Sequence, residues 1–415
     1  MLINFSFGNF RSFRAVKSLR MEAVQIKELS DSVIERDGFR LLPTAVLYGA
    51  NSSGKTNVIM ALGLFRNIVD KNIKLNPGED LVYDPFLLDD CSKDEPTTFE
   101  IQCLFEGAIY RYGFEYTKNT IISEWLYEKK IGPGAKEHYL FRRERQTFSV
   151  SATYFSEGKG KEGSTTENRL FLSLVAQLNG RIAQKLIKHL RDYNAISGLK
   201  DDGYERLMID MLKKHLRGCD EAIDFFRRLD LGFTNIEIEE RDIPNDLKET
   251  LATLPIVSTD KFNNAKVIET LTTHNVYDAE GKVINTVRFD ADDKESNGTN
   301  KVITLSGPIF DTLLGGKVLF VDELDSKLHP IMTRAIVRLF MDKETNPHGA
   351  QLVFTTHDTH LLDTKYLRRD QVWFTEKDPT EASDLYSLLD FKVRNDRDIE
   401  NDYINGRYGA IPFIK

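Results

Sequence analysis

Cysteine is scarce in this chain. Three cysteines, Cys91, Cys103 and Cys219, occur among 415 residues. Their spacing fits no zinc-binding pattern, and an odd, sparse set is typical of a reducing compartment. We therefore expect free thiols, buried or on the surface, and neither a disulfide framework nor a cysteine-ligated zinc site.

Long apolar runs and targeting signals are lacking too. No stretch approaches the roughly 18 apolar residues that a membrane-spanning helix requires. Residues 1–11 have no basic start, no long apolar core and no small-residue cleavage site, so they do not read as a signal peptide. We expect a soluble, cytoplasmic protein with no membrane partner.

An excess of positive charge is also missing. The net charge is −8, which argues against a surface coated with basic residues for nucleic acid but does not exclude a local basic groove. Hydrophobic residues make up 41% and charged residues 29%, so a packed globular core is expected. The length allows two or three units, or one domain with a large insertion.

What the chain does contain is a phosphate-binding pattern. Gly49-Ala-Asn-Ser-Ser-Gly-Lys-Thr56 fits G-x-x-x-x-G-K-[ST], between an apolar strand ending at Tyr48 and a helix at about 57–69. The glycines let backbone N–H groups approach the phosphates, Lys55 would reach the β- and γ-phosphates, and the Thr56 hydroxyl would bind Mg²⁺. The predicted nucleotide-binding residues of this P-loop are Gly49, Asn51, Ser52, Ser53, Gly54, Lys55, Thr56 and Asn57.

The remaining patterns predict three segments. Residues 1–155 form an N-terminal lobe in which the P-loop is followed by an antiparallel meander of four strands between about 98 and 142. Residues 156–262 begin with a flexible polar linker at 156–164 and continue as a mainly helical insertion. Residues 263–415 form a C-terminal lobe with a hairpin, helices at about 300–314 and 331–341, and three further strands. The predicted fold is therefore α/β: a P-loop NTPase with a mixed sheet and a helical insertion.

A pair of carboxylates follows a strand of buried type in the C-terminal lobe. Val318-Leu-Phe-Val321 leads directly into Asp322 and Glu323. In a P-loop fold such a strand lies beside the P-loop strand. Asp322 would hold the hydration shell of Mg²⁺, and Glu323 would orient and deprotonate the attacking water. A carboxylate pair at a strand end also serves as a plain helix cap, and the P-loop favours the catalytic interpretation.

A histidine follows the next predicted strand. Leu352-Val-Phe-Thr-Thr356 ends at His357 and Asp358. A histidine at that strand end can sense the γ-phosphate and hold the attacking water, although a lone histidine is more often structural. The sequence therefore predicts that His357 joins Glu323 as a catalytic residue.

The order of the motifs resembles a known group of ATPases. Phe10-Arg-Ser-Phe13, the P-loop, Glu295-Ser-Asn-Gly-Thr299, the stretch from Leu319 to Pro330 and Phe354-Thr-Thr-His-Asp358 precede an ending that reads Tyr403-Ile-Asn-Gly-Arg-Tyr-Gly-Ala-Ile-Pro-Phe413. This resembles the prokaryotic AAA/ABC-type ATPases related to OLD and SMC proteins, and within them the RloA-like group. That group is also called the ATP/GTP phosphatase family and includes the ATPase half of the AbiL abortive-infection system.

The resemblance implies an ABC-ATPase head that dimerises around two ATP molecules, as a homodimer or a higher homo-oligomer. It assigns Ser296 and Gly298 to an element that reads the γ-phosphate bound to the opposite subunit. It assigns Asp325 to the D-loop at the dimer contact and Arg11 to nucleotide binding. A rival Leu305-Ser-Gly-Pro308 lies in mid-helix, whereas a helix-starting serine at 296 can offer its hydroxyl and N–H to phosphate.

The resemblance also implies phage defence beside a separately encoded Toprim-type nuclease such as RloB, with nucleic acid or a phage protein as the trigger. Only about 58 residues follow His357, too few for a Toprim domain in the chain itself.

Three alternative functions belong to other classes: an SMC- or OLD-like ATPase of DNA repair, the nucleotide-binding subunit of a transporter, and a scaffold that binds ATP without hydrolysis. Long heptads and a Leu-Ser-Gly-Gly-Gln element, which would favour the first two, are not found.

Overall fold

The computed structural model describes residues 1–199, 203–243, 266–391, 393 and 397–412. The chain divides into two compact units. The first comprises Met1–Leu199, Thr312–Ser326 and Thr333–Lys415, and the second comprises Lys200–Asp311 and Lys327–Met332. This division differs from the predicted boundaries, because residues 156–199 belong to the first unit and the 266–290 hairpin to the second.

An antiparallel sheet of seven strands forms one layer of the first unit, in the order β10-β9-β8-β7-β6-β1-β2. The predicted meander is present and is longer than expected, because β10 extends it at one end and β1 and β2 at the other. The bounds are β1 Leu2–Gly8, β2 Lys17–Arg20, β6 Thr97–Phe105, β7 Ala108–Tyr116, β8 Ile121–Lys130, β9 Glu137–Glu144 and β10 Thr147–Val150.

A mixed sheet of six strands, in the order β11-β15-β16-β5-β17-β18, carries the P-loop. Its neighbours are parallel except for β17 and β18, which pair antiparallel. Its strands are β5 Thr44–Gly49, β11 Tyr193–Ser197, β15 Val318–Asp322, β16 Gln351–Thr355, β17 Val372–Lys377 and β18 Ser383–Ser387; the short β3 Ile34–Arg36 and β4 Phe39–Leu41 pair separately. The helices of this unit are α1 Lys55–Lys71, α2 Phe171–Gln177, α3 Arg181–Arg191, α8 Pro330–Met341, whose first three residues belong to the second unit, and α9 Ile399–Ile404. This α/β arrangement of a P-loop strand, an antiparallel meander and a mixed sheet agrees with the predicted fold class.

The second unit contains both helices and a three-stranded antiparallel sheet, β12-β13-β14. The hairpin expected between about 266 and 289 is confirmed. The elements are α4 Glu205–Lys213, α5 Cys219–Arg228, β12 Asn235–Asp242, β13 Lys266–Tyr277, β14 Val283–Asp290, α6 Ala291–Lys294 and the long α7 Asn297–Gly315, whose last turn belongs to the first unit.

Aromatic packing joins α1 to the antiparallel sheet. Phe65 of α1 stacks on Phe114 of β7 at 5.8 Å between ring centroids and meets Phe5 and Phe99 edge-on. All four side chains are fully buried. Large buried aromatic rings contribute much of the hydrophobic stabilisation of a core. The helix that starts at the P-loop is therefore anchored in the main core.

Two carboxylates, one fully buried and one partly buried, explain why residues 156–199 pack with the first unit. Glu124 of β8 accepts the backbone N–H groups of Phe171 and Leu172 at 2.6 and 3.0 Å, which caps α2. Glu157 likewise accepts from Ile182 and Ala183 at 3.1 and 2.9 Å and caps α3. Composition predicts a flexible linker at 156–164, but Glu157 lies within this stretch and fixes it to a helix N-terminus.

No helix within the described ranges is both long enough and apolar enough to cross a membrane.

Candidate functional site

The carboxyl ends of β15, β16, β5 and β17 lie at one edge of the mixed sheet, because these strands are parallel neighbours. Ligands of open α/β sheets bind at such an edge. A cavity of about 680 Å³ is present there. It is lined by Ser12, Asn51, Ser52, Ser53, Gly54, Lys55, Thr56, Asn57, Glu323, His357 and Lys377.

The P-loop turn depends on glycine at two positions. A Cβ atom on Gly49 would lie 2.5 Å from both the Ser53 hydroxyl and the Thr375 carbonyl oxygen. Gly54 has φ 114°, in the left-handed region, and its Cβ would lie 2.6 Å from the Ser383 hydroxyl. Only glycine fits such crowding and such a backbone without strain. Glycine at these two positions therefore permits the tight turn that precedes α1.

Lys55 is held inside this turn. Its ammonium donates to the carbonyl oxygens of Gly49 and Ala50 at 2.8 and 3.1 Å, and its side chain is buried. Burial lowers the pKa of Lys55, while the negative charges of Asp322 and Glu323 act in the opposite direction. A buried cation whose partners are neutral carbonyls and nearby carboxylates is suited to receive a phosphate.

Thr355 is hydrogen-bonded to both acidic residues at the end of β15. Its hydroxyl donates to Asp322 Oδ1 at 2.8 Å and accepts the backbone N–H of Glu323 at 2.6 Å. Glu323 has φ 52°, a backbone conformation uncommon for a non-glycine residue, and it is only partly buried. The hydroxyl thus fixes the Asp322 carboxylate inside the sheet while the Glu323 side chain lines the cavity.

His357 and Asp325 are joined by a hydrogen bond within the chain. The Asp325 carboxylate accepts the backbone N–H of His357 at 3.1 Å, and the exposed His357 side chain lines the cavity. Asp325 was predicted to contact a second subunit. In this chain its Oδ2 atom holds the loop that carries His357, and its buried Oδ1 atom has no hydrogen-bond partner among the described residues.

Arg11, a predicted nucleotide-binding residue, is not among the residues that line the cavity. Its Nε atom pairs with Asp84 Oδ2 at 2.7 Å, and a second guanidinium nitrogen contacts the sulfur of Met60 on α1. The neighbouring Ser12 lines the cavity instead and accepts from Asn57 Nδ2 at 2.8 Å. The motif Phe10-Arg-Ser-Phe13 therefore reaches the P-loop through its serine.

The two predicted magnesium ligands, Thr56 and Asp322, both carry oxygen atoms, the type of donor that Mg²⁺ takes. Thr56 stands exposed on the first turn of α1, and Asp322 supplies a carboxylate oxygen. Within the described ranges, no group of three or more His, Cys, Asp or Glu side chains forms a metal-binding cluster. Mg²⁺ in nucleotide sites needs only one or two protein oxygens, because the substrate phosphates and water complete its shell.

Ser296 and Gly298 lie in the second unit, at the start of α7. The Ser296 hydroxyl accepts the Thr299 N–H at 3.0 Å, which is the geometry of a helix N-cap. The helix begins at Asn297, three residues before its predicted start. The rival Ser306 is fully buried in mid-helix and donates to the Ile303 carbonyl at 2.6 Å, so it is not available to a ligand.

Three residues near the P-loop had no recognisable signal in the sequence. Thr375 of β17 is bonded to the Ser53 hydroxyl at 2.6 Å, and the Ser383 hydroxyl donates to the Ser53 carbonyl at 2.7 Å. Thr355 completes the set. Each is a small hydroxyl residue in a strand, which reads as an ordinary strand residue until the strands are paired.

Tyr403 and Tyr408 of the C-terminal motif pack beside the P-loop strand β5. The Tyr403 ring lies 5.6 Å from Tyr48 and is stacked on Phe374 at 5.5 Å between ring centroids. Tyr408 stacks on Phe374 at 5.7 Å. Burial raises the pKa of Tyr403 to about 12, so its hydroxyl is neutral and donates to the Ala410 carbonyl at 3.1 Å. The motif is thus a structural support for β5.

Comparison with known families gives one match. The family described as "AAA domain, putative AbiEii toxin, Type IV TA system" matches residues 45–363. No curated protein matches the chain.

Similar solved structures share little sequence with the chain. The SMC head domain from Thermotoga maritima is 12% identical with a TM-score of 0.40, and the alignment covers 93% of this chain and 98% of that one. An SMC head bound to the C-terminal winged-helix domain of ScpA is 14% identical with a TM-score of 0.40, over 94% and 99% of the two chains. The recombination mediator RecF with ATP is 12% identical with a TM-score of 0.33, over 93% and 97%.

Proposed function

Because the chain belongs to this AAA-domain family, we propose that it binds ATP with Mg²⁺ and hydrolyses it to ADP and phosphate. The observation that carries the proposal is the meeting of Lys55, Glu323 and His357 around one cavity, with Asp322 fixed beside Glu323 by Thr355. These groups come from a P-loop helix and from the ends of two neighbouring parallel strands, which is the arrangement that phosphoryl transfer requires.

Each residue has a role that follows from its position. The P-loop N–H groups and Lys55 bind the phosphates and offset their charge. Thr56 and Asp322 hold Mg²⁺, which neutralises further phosphate charge when bound. Glu323 orients a water molecule and accepts its proton, and His357 assists from the adjacent loop. Ser296 and Gly298 act on the ATP of a second copy, so that hydrolysis requires a homodimer.

The proposed biological role is anti-phage defence of the abortive-infection type, in which the ATP state controls a separate effector nuclease. Two facts support it: the toxin–antitoxin description of the family and the RloA-like order of motifs, including Tyr403 to Phe413. The alternative is an ATPase of DNA repair, which would differ in being stimulated by DNA.

A phage challenge tests the defence role. The chain is expressed together with the gene encoded beside it, and cells are plated with a panel of phages. We expect the plating efficiency of at least one phage to fall by an order of magnitude or more, and we expect Lys55→Ala to abolish the protection. Hydrolysis that DNA stimulates severalfold, without protection against any phage, would favour the DNA-repair alternative.

Thr355→Val should slow hydrolysis with little effect on nucleotide affinity. Valine has the same shape as threonine but cannot bond Asp322 Oδ1 or the Glu323 N–H, so the Asp322 carboxylate and the Glu323 backbone lose their support. Hydrogen bonds to charged groups contribute about 1.5–3 kcal/mol, which corresponds to a fall in kcat of about tenfold to 100-fold. Steady-state kinetics and calorimetric titration with ADP measure the two effects separately.

Thr355→Ser is the matched control for this prediction. Serine keeps the hydroxyl and removes only a methyl group, so kcat should stay within a few-fold of the wild-type value. Equal losses in the Val and Ser variants would mean that packing, and not the hydroxyl, matters at this position.

A further inference from the structure

A second lysine lines the cavity, and none of the roles assigned above uses it. Lys377 is the last residue of β17, the neighbour of the P-loop strand. Across the β17–β18 hairpin it pairs with Ser383, whose hydroxyl donates to the Ser53 carbonyl at 2.7 Å. The backbone of Lys377 is therefore fixed one strand away from a residue that touches the P-loop, and its side chain borders the same cavity.

The strand order decides which end of a nucleotide Lys377 faces. β15 and β16, which carry Glu323 and His357 at their ends, lie on one side of β5, and β17 lies on the other. The γ-phosphate must lie on the side of Glu323 if that carboxylate is to orient the attacking water. The rest of the nucleotide consequently extends towards β17, and the α-phosphate is the first anionic group on that side.

Lys377 has a competing partner in the structure. Its ammonium lies 3.2 Å from the Glu381 carboxylate. Glu381 has φ 60° in a turn held by Asp378, whose side chain accepts the N–H groups of Thr380 and Ala382. The two side chains of the ion pair are 32% and 67% exposed, so the pair is weak and easily exchanged for a phosphate.

We propose that Lys377 binds the α-phosphate of the nucleotide and that Glu381 competes with the phosphate for the lysine. The inference rests on the proposed ATP binding. It adds a second cation to the site, on the flank away from hydrolysis, and a carboxylate that weakens affinity for ATP and ADP alike. The γ-phosphate plays no part in this contact.

Calorimetric titration of ATP and ADP into four variants tests the pair. Lys377→Met should raise Kd about tenfold for both nucleotides, as expected for the loss of one hydrogen bond to a charged group. Lys377→Arg keeps the charge and should recover most of that loss. Glu381→Gln should lower Kd severalfold, because the competitor is gone. The double variant Lys377→Met, Glu381→Gln should match Lys377→Met, because Glu381 acts only through the lysine.

The outcomes separate this inference from the proposed function. Wild-type protein that binds neither nucleotide would refute ATP binding itself. Wild-type binding that Lys55→Ala removes and Lys377→Met leaves unchanged would refute only the role of Lys377. A loss confined to ATP would place Lys377 on the γ-phosphate and overturn the inference. Additive effects in the double variant would overturn the competition by Glu381.

Discussion

Glu323→Gln is expected to bind ATP, to hydrolyse it 10²–10⁴-fold more slowly than the wild type, and to accumulate as a closed dimer. Glutamine keeps the shape of the side chain but cannot accept the proton of the attacking water, and general-base losses are of this size. Because Glu323 is only partly buried, lines the cavity and keeps its size on substitution by glutamine, the fold should survive the change. Phosphate release measures turnover, and light scattering with and without ATP measures assembly.

A surface variant serves as the control for Glu323→Gln. Glu144→Gln makes the same chemical change on an exposed residue of β9 and should leave both turnover and assembly unchanged. Adding Ser296→Arg to Glu323→Gln should prevent dimer formation. The arginine adds bulk and charge at the position where Ser296 is proposed to contact the ATP of a second copy. A Glu323→Gln protein that hydrolyses ATP at the wild-type rate would contradict the assignment of the base.

Lys55→Ala is expected to abolish hydrolysis and to weaken ATP binding by about 100-fold. We propose that the ammonium held by Gly49 and Ala50 inside the P-loop bonds the β- and γ-phosphates, and two such charge-assisted bonds are worth about 3 kcal/mol. Calorimetric titration measures the affinity. Lys71→Ala, at the exposed end of the same helix, is the matched control and should behave as the wild type.

Thermal unfolding gives Lys55→Ala a second readout. Burial lowers the pKa of Lys55, so the folded protein bears a cost for the charged ammonium at neutral pH. The variant should therefore melt at the wild-type temperature or above it without nucleotide, and should lose the rise in Tm that ATP causes. A large fall in Tm without nucleotide would show that Lys55 is mainly structural, and unchanged ATP affinity would contradict the P-loop assignment.

The parts of the site that the sequence could predict are those with local signals. The P-loop has a fixed spacing, and Asp322, Glu323 and His357 each follow a strand of buried type. The strand before Asp322 was expected directly beside the P-loop strand, but β16 lies between the two. Because β15, β16 and β5 are parallel, Glu323 and His357 still line one cavity at the same edge of the sheet. The antiparallel meander was predictable for a similar reason, because its turns and its alternation are local.

The parts that could not be predicted depend on residues far apart in the chain. Ser383 touches Ser53 across 330 positions, and a serine in a strand gives no hint of such a partner. Glu124 caps a helix 47 and 48 residues away. Long-range hydrogen bonds of this kind hold residues 156–199 in the first unit, although the composition of these residues predicts a linker and an insertion. Arg11 pairs with Asp84 and does not line the cavity, and the motif alone does not contain this pairing.

The order of strands in the mixed sheet has a consequence for how the protein is made. The P-loop strand β5 ends at Gly49, but its two neighbours are β16 at Gln351–Thr355 and β17 at Val372–Lys377. Translation at about 5–20 residues per second leaves this apolar strand without its partners for roughly 15 to 60 s. The nucleotide site therefore cannot form on the growing chain, and fragments that end before β16 should expose an unpaired hydrophobic strand to chaperones and proteases. The P-loop strand therefore has both of its neighbours only in chains that are synthesised as far as Lys377.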